Sequence, residues 1–184
     1  MPNIGEEICG EYLKYILKCD FVSYNITHPD TQGEMDVIGI QLAQKAIYVC
    51  EVVTHTQGLE YVTKGKSNDY NVLKAKYERG ITYAQKYFKD YQIRLMLWSP
   101  VVRVNTPKAK YNTMNELKRL QEDLPLDIEF VINFRYQQAL DKLKAHAIKQ
   151  TAMFTTPVMR MFQIEGNLQN HLEKLRKKGV EEYK

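Results

Sequence analysis

Two acids stand where acids are costly. Asp36 lies in the run Met35-Asp36-Val37-Ile38 and Glu51 in Val49-Cys50-Glu51-Val52-Val53. An ionised carboxylate inside an apolar sheet is unfavourable unless it is paired or holds a metal. Both runs are rich in β-branched and aromatic residues, which predicts strands over residues 34–40 and 46–53, joined as a hairpin. Neighbouring strands lie about 4.8 Å apart, so the two carboxylates could share one divalent cation. A metal held there would lower the pKa of a bound water and stabilise charge on a phosphate. Mg²⁺ suits an oxygen site that keeps room for water and phosphate, with Mn²⁺ as an alternative. The plainer reading, that both acids sit at strand ends and meet solvent, stays open at this point.

The elements that must position these acids follow from periodicity. Ile8, Tyr12, Tyr15, Ile16 and Cys19 recur at helical spacing, so residues 4–18 read as an amphipathic helix. Glu6 and Glu7 fall in its first turn, where the helix dipole favours acids. Residues 21–26 read as a short strand. The second strand of the hairpin is apolar on both faces apart from Glu51, as a central strand should be. Residues 56–67 are polar and contain Gly58 and Gly65. A helix is expected over 68–88 with Val72, Ala75, Ile81, Ala84 and Phe88 buried. A strand over 93–98, a helix over 108–122, a strand over 127–134 and helical sequence over 135–178, broken near Pro157, complete the chain. The order predicts an α/β fold, a mixed sheet flanked by helices, with a core over residues 1–134 and a helical extension over 135–184. That extension either packs on the core or serves a homodimer.

The run Gly33-Glu34-Met35-Asp36-Val37-Ile38, followed by a short hairpin and Ile47-Tyr48-Val49-Cys50-Glu51-Val52-Val53-Thr54, resembles the core motif of the PD-(D/E)XK nuclease superfamily, to which restriction endonucleases and archaeal Holliday-junction resolvases belong. In the small resolvase-like branch the pattern is G-E-x-D and then an apolar strand ending E-V-K-T. Gly5-Glu6 with Tyr12-Leu13 resembles that branch's first helix, and Val72, Lys76 and Arg79 resemble its V-x-x-x-K-x-x-R helix. The likeness spans roughly residues 5–100. It implies a restriction-endonuclease-like core and a Mg²⁺-dependent DNA endonuclease that hydrolyses phosphodiester bonds. It further implies Asp36 and Glu51 as metal ligands and Glu6 as a third acid.

The chain departs from the family at the E-x-K lysine, where it carries Val53. In the family that cation is thought to orient the attacking water and stabilise charge on the phosphate, and valine can do neither. His55 would share a face with Val53 if the strand continued. Lys64 or Lys66 could reach in from the loop, and Lys74 or Lys76 from the following helix. A long stem favours the helix, which makes Lys76 the candidate catalytic cation. Tyr61, Lys64, Lys66, Tyr70, Lys74, Lys76 and Tyr77 form a basic and aromatic stretch suited to a phosphate backbone. Lys64, Lys66, Lys74 and Arg79 are the candidate DNA contacts. The opposing reading of Val53 is a catalytically lapsed member of the fold, acting as a nucleic-acid-binding or structural subunit.

Composition narrows the remaining classes. The 184 residues are 44% hydrophobic and 26% charged, enough for one core and unlike a disordered chain. Three cysteines fit neither a disulfide framework nor a zinc spacing. No apolar run approaches the roughly 20 residues of a membrane span, and the first residues do not resemble a signal peptide, so a cytoplasmic location without a membrane partner is expected. A net charge of +4 permits a nucleic-acid partner without demanding one. No nucleophile elbow, phosphate-binding glycine loop or dinucleotide fingerprint is present.

Overall fold

The computed structural model describes residues 2–27, 33–55, 57–103 and 113–179. Helix α1 (Ile4–Tyr15) starts at a capping box: the Asn3 side chain accepts the Glu6 N–H, and the Glu6 carboxylate accepts the Asn3 N–H. The helix stops three residues short of the expected end. Lys18 takes a left-handed backbone (φ 61°) and the Cys19 N–H turns back to the Leu13 carbonyl. Strands β1 (Phe21–Thr27), β2 (Glu34–Gln41) and β3 (Ala46–Val52) follow as an antiparallel meander.

The polar stretch 56–67 contains a two-stranded hairpin, β4 (Val62–Thr63) and β5 (Lys66–Ser67). Lys64 and Gly65 turn it with φ of 51° and 75°. Two successive left-handed residues suit a two-residue hairpin turn. Helix α2 (Asp69–Tyr87) then crosses to β6 (Gln92–Ser99), which pairs parallel with β3. Helix α3 (Thr113–Asp123) leads to β7 (Ile128–Ile132), parallel to β6. Residues 108–112 of the expected helix lie outside the described residues. Helices α4 (Phe134–Lys149) and α5 (Pro157–Lys177) complete the chain. The sheet order is β1-β2-β3-β6-β7, a five-stranded mixed sheet with β3 central and buried along its whole length.

Helices cover both faces. On one, Cys9 and Leu13 of α1, Leu143 and Ala147 of α4 and Met159 of α5 pack on Tyr48, Cys50 and Trp98. On the other, Leu73, Tyr77 and Ala84 of α2 and Leu117 and Leu120 of α3 pack on Ile47, Val49, Val53, Leu95 and Leu97. The buried side of α2 is therefore Leu73, Tyr77, Gly80, Ile81 and Ala84. Of the expected set, Ala75 is exposed and Val72 half-buried. The outward stripe of α5 leaves Met161, Ile164 and Leu168 exposed. No helix among the described residues is long and apolar enough to cross a membrane.

Candidate active site

Along β3 the side chains alternate between the two faces. Val49 and Val53 belong to the α2 side, so Glu51 between them points the same way, while Cys50 and Val52 join the opposite core. The antiparallel register pairs Val37 with Cys50, which puts Asp36 across from Glu51. The ladder between β2 and β3 ends at that pair, and the Asp36 carboxylate takes over: its Oδ2 accepts the Val52 N–H at 2.8 Å. Asp36 is 6% exposed and Glu51 fully buried, so neither acid sits at a solvated strand end.

Lys76 comes down on both carboxylates from α2. Its Nζ donates to Glu51 Oε2 at 2.5 Å and to Asp36 at 3.0 and 3.1 Å. A glycine one turn further along makes this reach possible. A Cβ on Gly80 would lie 2.5 Å from Val49 Cγ1, so only glycine lets α2 lie this close to β3. Arg79 fastens the same turn to the sheet, donating from Nη1 to the Glu34 carbonyl at 3.0 Å.

The cluster has an uneven charge balance. Burial pushes the Glu51 carboxyl up to about 8, opposed by Lys76 and reinforced by Asp36. For Lys76 burial works against the charge, but Glu51 and Asp36 outweigh it and raise its pKa. The arrangement thus sets an ammonium between two acids, of which the buried Glu51 holds its proton more tightly than a free carboxyl does. Glu51 Oε1 is buried with no hydrogen-bond partner. That atom is a spare oxygen of the kind a hard divalent cation takes, while the Lys76 ammonium occupies the point where the two carboxylates converge. Among the described residues no group of three or more His, Cys, Asp or Glu side chains is arranged to hold a metal ion.

The remaining expected residues are distributed as follows. The Glu6 carboxylate caps α1 and accepts from Asn25 Nδ2 at 3.3 Å. The β1–β2 register leaves Asn25 across from Asp36, and Glu6 itself bonds to Asn3 and Asn25 and not to the acid pair. His55 follows the end of β3 and is exposed; its ring meets Tyr61 edge-on, with centroids 5.9 Å apart. Lys74 is bound to the Tyr70 hydroxyl at 3.0 Å and pairs with Asp123 at 3.8 Å. Arg79 is spent on the Glu34 carbonyl. Lys64 and Lys66 are exposed at the β4–β5 hairpin. Tyr61, which sequence reasoning set among DNA contacts, lies within the electrostatic reach of Lys76, Asp36 and Glu51; burial raises its phenol pKa, so it stays a donor.

No family model matches the chain, and no curated protein matches it.

Proposed function

We propose that the chain is a metal-dependent phosphodiesterase acting on DNA, with a restriction-endonuclease-like core in which the active-site lysine has moved from the strand to the following helix. The observation that carries this reading is the position of Lys76, bonded to both Asp36 and Glu51 on the face where Val53 offers no cation. Asp36 and Glu51 would hold Mg²⁺ or Mn²⁺, with the unpartnered Glu51 Oε1 as an available ligand atom. When bound, the metal supplies a lowered water pKa and Lewis-acid stabilisation of the phosphate. Lys76 supplies a fixed positive charge beside a phosphate oxygen, the kind of preorganised stabilisation worth about 10²–10³ in rate when removed. Lys64 and Lys66 supply backbone phosphate contacts.

A second reading has its own support. Lys76 neutralises the acids without any metal, which is what a lapsed site acting as a binding or structural subunit would need. Calorimetric titration with Mn²⁺ and a cleavage panel of branched, duplex and single-stranded DNA separate the two. The nuclease reading expects metal binding and cleavage in the wild type. Both should be lost in Asp36→Asn/Glu51→Gln, and Lys76→Met should keep metal binding while losing about 10²-fold or more in rate. No metal binding and no cleavage by the wild type would leave the lapsed reading standing.

A further inference from the structure

The β4–β5 hairpin stands apart from both cores, while Tyr61 at its base packs against the α2-side core with its ring meeting His55. Asp69, fully buried at the start of α2, accepts the Tyr61 N–H on Oδ1 at 2.5 Å and the Ser67 hydroxyl on Oδ2 at 3.4 Å. The Asn68 N–H donates to the Tyr61 carbonyl at 2.7 Å. Both ends of the hairpin are thereby tied to the helix that carries Lys76. The tip projects: a Cβ on Gly65 would meet nothing within 4 Å, and Val62, Lys64 and Lys66 are exposed. At the base the exposed His55 meets the half-buried Tyr61 at an interplanar angle of 65°.

We propose that His55 and Tyr61 form a stacking platform for an unpaired nucleotide next to the scissile phosphate, with the β4–β5 hairpin guiding that strand through Lys64 and Lys66. The proposal rests on the nuclease reading and adds its substrate class: DNA with a single-stranded, frayed or flapped nucleotide at the cut site.

Two observations favour an unpaired strand over an intact duplex. Bases in a duplex have both faces covered by their neighbours, so an aromatic surface gains stacking only from a base that has left the helix. Of the four basic side chains expected to contact DNA, Lys74 and Arg79 are committed to contacts within the protein, which weakens any grip on a duplex backbone. Two hairpin lysines give a weak, sequence-independent phosphate grip, and stacking has to supply the rest. Loss of one stacked base should cost roughly tenfold in affinity.

The test uses the full chain without divalent cations, so that binding is read apart from cleavage. Short single-stranded DNA and the matching duplex, each carrying 2-aminopurine as a stacking reporter, are titrated with wild type, Tyr61→Phe, Tyr61→Leu and His55→Ala. Expected are tighter single-strand binding with quenching of the reporter in wild type and Tyr61→Phe. Tyr61→Leu should lose the quench and about tenfold in single-strand affinity while leaving duplex affinity unchanged. His55 is exposed, so His55→Ala serves as the variant that folds even if Tyr61→Leu does not, and its quench should fall too. Unchanged quenching in both variants, or equal loss on single strand and duplex, would overturn the platform. Failure of the nuclease reading shows separately, as absence of cleavage of any of these DNAs with Mg²⁺ or Mn²⁺.

Discussion

Glu51 dominates at the scale of single residues, because its carboxyl has the largest conflict between burial and charge. Its folded-state pKa of about 8 lies above the ordinary value of 4.5. The folded protein therefore keeps a proton that the unfolded chain releases above 4.5. The corresponding stability is fully present below pH 4.5 and is lost as pH rises through about 8. In metal-free protein Glu51→Gln should remove this slope, so the variant gains on the wild type across that window, on the order of 10 °C at pH 9 by thermal melting. A wild-type and variant pair with parallel pH profiles would contradict the assignment. Lys76 gives the complementary case. Its side chain is 21% exposed and faces a buried acid pair. Lys76→Met leaves Asp36 and Glu51 without a counter-charge, and breaking such a pair costs about 3 kcal/mol. The loss should be larger at pH 9 than at pH 6, since proton uptake by Glu51 relieves it at the lower pH. Denaturant titration at the two pH values checks the order.

Elements set whether those residues meet. Lys76 sits on a helix whose distance from β3 is fixed by Gly80 against Val49. Val49 is a fully buried β-branched side chain with little room to give. Gly80→Ala would gain helix propensity but should still destabilise by about 1–3 kcal/mol through overpacking. Because it lifts the turn that carries Lys76, it should also reduce any metal-dependent cleavage more than a distant substitution of equal stability cost. A melting temperature equal to wild type would show that the helix does not depend on that close approach. The sequence predicted α2 as a helix with nearly correct ends, yet assigned it a buried side that included Ala75. Its hydrophobic positions are sparse and mixed with tyrosines, and the real face runs through Leu73, Tyr77 and Gly80, where the glycine carries no hydrophobic signal at all.

Across the whole molecule, the C-terminal helices share the core of the sheet. Tyr136, Ala139, Leu143 and Ala147 of α4, with Val158, Met159 and Phe162 of α5, pack in one cluster with Cys9, Leu13 and Trp98. The N-terminus of α5 is also capped from a distance, the Glu7 Oε1 accepting the Val158 N–H at 2.8 Å. A chain cut after residue 134 would bare that face of the sheet and of α1. It should show no cooperative thermal transition, whereas the full chain melts as a unit. A sharp transition in the shortened chain would mean that the sheet with α1, α2 and α3 is sufficient alone.

The sequence by itself determined the order of the principal elements and singled out Asp36 and Glu51. Those depend on local periodicity and on the cost of charge within an apolar run, both of which are readable along the chain. It also ranked a helix lysine first as the cation opposite the strand acids, through the length of the lysine stem alone. Tertiary structure decided the rest. The β4–β5 hairpin escaped because two-residue strands have no period. The engagement of Lys74 with Asp123 and of Arg79 with the Glu34 carbonyl depended on packing between elements far apart in sequence. The meeting of Lys76 with both carboxylates required a parallel crossover and a glycine contact, and distances between elements are fixed by packing, not by spacing along the chain.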